Sequence, residues 1–205
     1  MKRRRTITLK VKDNMILITC PYQASEEYIN NIYIKYRRRL LEKLKASKTN
    51  ENEIKLFGRI FAVEKVENPL LKRPFFEIKN NIFVENIPFD CDKTTVEQHL
   101  TKWKIEKIRK IIFYKVIYFN RKFNFSFNEK KNSIRIKGQK SLWGSCSHNN
   151  NLNFNYKIIE RDNKTIDYLV LHELTHTIHK NHSTAFWECL KEVCPDCINL
   201  KSGLD

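Results

Sequence analysis

Residues 171–183 read LHELTHTIHKNHS and hold four of the chain's six histidines, His172, His176, His179 and His182. An imidazole is easily replaced on a surface and costly to bury, so this crowding calls for a shared task. The pattern His172-Glu173-x-x-His176 supplies one if the segment is helical. Positions four apart share a face and lie about 6 Å apart along the axis, so two imidazoles converge on one cation. Glu173 is rotated by about 100° from His172, close enough to touch a water on that cation without binding it. The expected helix runs from Thr165 to His179, with Ile166, Leu169, Val170, Leu174 and Ile178 as its buried side.

A catalytic zinc needs a third protein ligand and leaves one position open. His179 falls on the same face as His172 but about 10 Å further along a straight helix. Three nitrogens must each lie within about 2 Å of the ion, so His179 fits poorly. His182 is better placed if the chain leaves the helix first. Asn181 tolerates left-handed dihedrals and Ser183 can open a new helix, so a break at Lys180–Asn181 folds His182 back beneath His176. His179 is then solvated or a neighbour of the ligands.

The rest of the chain is read around this element. Thr6–Val11 and Met15–Cys20 alternate apolar and polar residues about a turn at Lys12-Asp13-Asn14, a β-hairpin. Ser25 caps a helix to about Lys45. Ile54–Val66 is strand material broken near Gly58, and Phe75–Ile78 with Ile82–Val84 flank a turn at Lys79-Asn80-Asn81. These segments make an antiparallel β-module over residues 1–90 carrying one helix, with Pro88 and Asp90-Cys91-Asp92 as its boundary. A long helix spans Thr94 to about Asn120, and Ile134–Ile136 is a strand. Ser141–Ser147 and Leu152–Tyr156 form a second hairpin, and Thr184–Val193 is a last helix stopped by Pro195. The fold class is α+β, with the catalytic half at residues 91–205.

An apolar content of 41% supports a real core, and four glycines in 205 residues argue against a linker-rich chain. No run of 18 apolar residues is present, so no membrane span is expected, and the basic start lacks the apolar stretch of a signal peptide. Six cysteines in a chain of this length read as free thiols, consistent with a reducing cytoplasm. Cys194-Pro-Asp-Cys197 is one pair without a second, so a structural metal there lacks support. The net charge of +16 is concentrated in residues 1–50 and 101–150. Such a field attracts polyanions. Arg3–Arg5 and Arg37, Arg38 and Arg39, with Tyr33 and Tyr36 nearby, are the candidate nucleic-acid contacts. The plainer reading is a soluble surface in a Lys- and Asn-rich chain.

The stretches SLWGSCS, LNFNY and IDYLVLHELTHTIHKNHSTAFW together resemble the YgjP-like metallopeptidase family. The likeness is close over residues 134–195, and the alternating amino-terminal strands agree more loosely. It implies a minimal zincin-like core related to SprT-like proteases, one Zn2+ held by His172, His176 and His182, and Glu173 as general base. It also implies that Trp143–Cys146 is the strand edging the active-site cleft. Two departures are Leu142, where the family usually has arginine, and Cys197, where an aromatic is common.

The expected chemistry is peptide hydrolysis by a zinc-bound water, with Glu173 taking its proton and passing it to the leaving amine. A peptide or protein substrate would add as a strand beside Trp143, Gly144, Ser145 and Cys146. After His182 only Lys191 and Lys201 are cationic, so an oxyanion stabiliser is expected upstream, with His148 and Tyr168 as candidates. Asp162 and Asp167 could orient a ligand imidazole. Trp187 and Phe186 are expected to pack behind the metal. Three rivals follow from other classes. The first is a nucleotide pyrophosphohydrolase, disfavoured by the lack of a Gly-rich phosphate loop. The second is a protease recruited to nucleic acid by its basic face. The third is a module whose metal is purely structural. Oligomeric state is left open by the residues.

Overall fold

The structure is a computed structural model that describes residues 7–12, 15–47, 52–139 and 141–204. It divides into two compact units, residues 1–51 and 52–205. In the first, β1 (Thr8–Lys12) and β2 (Met15–Thr19) form an antiparallel hairpin with Lys12 opposite Met15. Helix α1 (Glu26–Ser47) packs on both strands. The Ser25 hydroxyl accepts the Tyr28 amide at 3.3 Å, and Glu26 and Glu27 stand where the helix dipole favours acids. Asp13, Asn14 and Arg3–Arg5 lie outside the described residues.

The second unit opens with β3 (Glu53–Leu56) and β4 (Arg59–Glu67), joined at Phe57-Gly58 with φ of 53° and 75°. Two consecutive positive φ values match the twist of a tight hairpin. Strands β5 (Phe75–Lys79) and β6 (Ile82–Ile87) turn in the same way at Asn80-Asn81. The sheet order is β3-β4-β6-β5, and β4 pairs with β6 in parallel. The purely antiparallel module expected from sequence is therefore corrected. The chain after β4 crosses to the far edge to lay down β5, and the hairpin then returns β6 beside β4.

This sheet also belongs with the catalytic half and not with the amino-terminal hairpin. Helix α2 (Lys93–Phe123) carries Trp103, whose ring meets Phe83 and Phe76 edge-on at 5.2 and 6.4 Å. The Phe57 amide donates to the Ile159 carbonyl at 2.6 Å. One apolar cluster runs from Leu56 and Phe83 through Ile108 and Ile112 to Leu174 and Leu190. The division falls near residue 51 because the aromatic faces of β5 and β6 are buried by α2, while Pro88–Asp92 is only a turn. Phe83 is fully buried. Phe83→Ala is expected to cost the 52–205 unit about 3–5 kcal/mol in urea unfolding followed by tryptophan fluorescence. All three tryptophans lie in that unit. A loss under about 1 kcal/mol would contradict the shared core.

Helix α2 buries Ile108, Ile112, Val116 and Asn120, one residue per turn. Asp92 caps its start, and Asn124, with φ 53°, ends it in the left-handed region. The Asn120 side chain donates to the Phe127 carbonyl and accepts its amide, which fixes the return of the chain. Three short strands follow: β7 (Ile134–Lys137), β8 (Gly144–Cys146) and β9 (Leu152–Asn155). Their order, β7-β9-β8, leaves β8 on an edge. Helix α3 (Asn163–Thr175) packs on α2 and β8. Helices α4 (Thr184–Val193) and α5 (Cys197–Lys201) close the chain, the latter unforeseen in sequence. Among the described residues no helix is long and apolar enough to cross a membrane.

Candidate metal centre

Asp162 fixes where α3 begins, its carboxylate accepting the Thr165 amide at 2.8 Å. That hydrogen bond holds its pKa below the ordinary carboxylate range. The helix then buries Ile166, Leu169, Val170 and Leu174 and brings His172 and Glu173 to its opposite end.

The helix stops at His176, earlier than expected. The Thr175 hydroxyl donates to Leu171 O, and the Thr177 hydroxyl donates to Leu174 O while accepting the Ser126 amide. These side chains tie down the last turn and divert the backbone. Ile178 consequently leaves the buried face and is 45% exposed. The early exit turns the His179 carbonyl back to accept from His176 Nδ1 at 2.9 Å. His179 thus meets the cluster through its backbone. Lys180 anchors the turn by donating to Ser147 O at 3.0 Å and to the Asn150 side chain.

His182 follows this turn. Its Nε2 lies 3.1 Å from His172 Nε2 and 3.2 Å from His176 Nε2. Among the described residues these three form the group able to hold a metal ion, with all ligand atoms within 4.8 Å of one another. Bonds of about 2.0–2.1 Å from a tetrahedral ion to its ligands imply nitrogens about 3.3 Å apart. The two separations from His182 lie close to that edge length. The donor set of imidazole nitrogens without oxygens suits a borderline-soft ion and not Mg2+ or Ca2+.

The electrostatics agree with a cation site. Burial, followed by the neighbouring His176, His182 and Lys201, pulls the His172 pKa down to about 3, so its ring is neutral and its lone pair available. Burial also lowers His176. The hydrogen bond from His176 Nδ1 to a carbonyl leaves Nε2 as the unprotonated atom. Glu173 is 3% exposed, and burial pushes its pKa up to about 8. Its Oε2 is buried without a hydrogen-bond partner in the protein. A nearby dication acts in the opposite direction and favours the carboxylate.

Phe186 floors the cluster, its ring 5.0, 4.5 and 4.8 Å from those of His172, His176 and His182. Trp187 lies nearly parallel to His182 at 5.8 Å. A cavity of about 420 Å³ opens beside His172, Glu173 and His182, walled by Trp143, Gly144 and Tyr168. The carboxy-terminal segment completes it through Lys201 and Leu204. The Trp143 indole donates to Leu204 O at 2.5 Å and so holds that segment in place. Lys201, on a helix the periodicity does not announce, was missed as a cavity residue.

The remaining sequence candidates separate. Trp143 and Gly144 line the cavity. Ser145 accepts from Asn153 on the neighbouring strand, and Cys146 contacts Lys180 at 3.8 Å. His148 is exposed in the turn after β8 and does not line the cavity. Asp162 is a helix cap and Asp167 pairs with Lys115, so neither orients a ligand imidazole. Cys194 and Cys197 are free, buried thiols. Arg37, Arg38 and Arg39 are exposed on α1, in the other unit.

A helix bearing two imidazoles and a buried glutamate, a third imidazole after a chain reversal, and an edge strand beside them define a minimal zincin-like metallopeptidase fold. The chain belongs to the YgjP-like metallopeptidases: the profile described as "YgjP-like, metallopeptidase domain" matches residues 5–205. It is a metal-dependent peptidase. Among solved structures the chain is similar to the metallopeptidase zymogen jannalysin of Methanocaldococcus jannaschii. Identity is 25%, covering 45% of this chain and 92% of that one, with a TM-score of 0.40. No curated protein matches.

Proposed function

We propose that this peptidase is zinc-dependent, with one ion held by His172, His176 and His182 and Glu173 as general base. The observation that carries this reading is the convergence of three imidazoles, with His182 Nε2 at 3.1 and 3.2 Å from the Nε2 atoms of His172 and His176, near a tetrahedral edge. When bound, the ion supplies Lewis acidity to the scissile carbonyl and acidifies water. Glu173 Oε2 accepts the proton of the attacking water and passes it to the departing amine nitrogen. Phe186 and Trp187 hold the three rings in place. The peptide adds as a strand to the free edge of β8, which brings its carbonyl beside Glu173. Tyr168 and Lys201 are the candidates for steadying negative charge on the substrate.

The test is metal analysis and hydrolysis with the full chain. About one zinc per chain is expected, with casein cleavage abolished by a chelator and restored by Zn2+. Cleavage of nucleoside triphosphates but not casein would end the reading.

The exposed Arg37–Arg39, with Tyr36 42% exposed beside them, favour a second, compatible role in recruitment to nucleic acid. Binding of a single-stranded oligonucleotide is expected to weaken steeply between 50 and 200 mM salt. Replacing the three arginines by alanine should flatten that salt slope by up to about three. No binding at low salt would remove the idea.

A further inference from the structure

We propose that Gly144 is a positioning residue for the reaction: its missing side chain is the slot in which the Glu173 carboxylate lies. The proposal rests on the reading of Glu173 as general base.

A Cβ built on Gly144 would stand 2.5 Å from Glu173 Oε1 and 2.9 Å from both Cδ and Cγ. Contacts under 3.0 Å are essentially never made by real Cβ atoms. Backbone conformation does not demand a glycine here. Among the described glycines only Gly58 has a positive φ, and Gly144 sits in β8 with Phe154 as its register partner. Gly138, by comparison, would place a Cβ 3.3 Å from the Tyr156 ring, a contact that a small movement relieves. At Gly144 the glycine is required by close approach alone.

The collision is not confined to the tip of a mobile side chain. Because Cγ is as close as Cδ, turning the carboxylate about its last bond does not clear the added methyl. The side chain would have to change an inner torsion, which carries both oxygens away. Its helix is packed on α2 and β8, so the displaced carboxylate would swing toward the cavity it lines and away from its place against the strand. The strand is equally constrained: Asn155 N donates to Trp143 O at 2.7 Å immediately before Gly144. The absence of one methyl therefore sets where the proton acceptor stands relative to the strand on which substrate pairs. A misplacement of about 1 Å can cost about 10²-fold in rate. The three atoms nearest to this Cβ all belong to Glu173 and none to an imidazole, so metal binding is predicted to be untouched.

The experiment compares wild type, Gly144→Ala, Glu173→Ala and the double variant, each as the full chain. In metal-free protein, Gly144→Ala should lower the thermal midpoint in the wild-type background and leave it unchanged in the Glu173→Ala background. Zinc content should be the same in all four. In peptide hydrolysis, Gly144→Ala should lower kcat by about 10²-fold with KM unchanged. A raised KM with intact kcat would overturn the proposal and make Gly144 a substrate contact. Equal thermal losses in both backgrounds, or a double variant that fails to fold, would also overturn it. Full activity of Glu173→Ala would refute the base assignment, while the thermal cycle would still decide whether the slot exists.

Discussion

Glu173→Gln is expected to lower the rate of peptide hydrolysis by about 10²- to 10⁴-fold while leaving the metal content of the purified chain unchanged. Glutamine has nearly the same shape, so it fits the slot at Gly144 and keeps an oxygen. What it lacks is a carboxylate able to take a proton. Burial does not penalise the exchange, because the neutral amide is easier to desolvate than a charge. The metal should stay because Glu173 is not one of the three converging groups. Metal analysis and kcat on the same sample separate two failures. Loss of metal would make Glu173 a ligand, and an undiminished kcat would move the base elsewhere.

His182→Ala should reduce zinc affinity by more than the 10- to 100-fold that removal of an outer-shell partner typically costs. It removes one of three nitrogens outright. His182 is exposed and lies in the chain reversal before α4, so its loss opens no hole in the core. The variant should fold, and it should lose the thermal stabilisation that added zinc confers on the wild type. His179→Ala is the matched control. That residue meets His176 through its carbonyl, which a side-chain truncation leaves in place. Retained zinc in His182→Ala with loss in His179→Ala would exchange the two roles.

The contrast between these histidines shows where local pattern is informative. The spacing of His172 and His176 is read from helical geometry, since both sit on one regular element. The place at which the helix ends was expected near Lys180, yet Thr175 and Thr177 end it at His176. The Thr177 hydroxyl is engaged by Ser126, 51 residues away, and such a contact leaves no periodic trace. The hairpin at Asn80-Asn81 was legible because positive-φ turns have characteristic residues, whereas at Gly58 the sequence marked a break in strand material and not a hairpin. The parallel pairing of β4 with β6 was not, since either partner strand satisfies the same alternation.

The sequence by itself determined most of the elements though not α5, the buried face of α3 as far as Leu174, the spacing of the two imidazoles and the edge strand's motif, because each depends on neighbours within a few residues. Only the tertiary structure decided that the four-stranded sheet shares its core with the metal-site unit, that His182 returns to within 3.2 Å of the helix pair, and that Lys201 and Leu204 wall the cavity. Those outcomes depend on which distant surfaces exclude water together, and packing of that kind is set by shape across the whole chain.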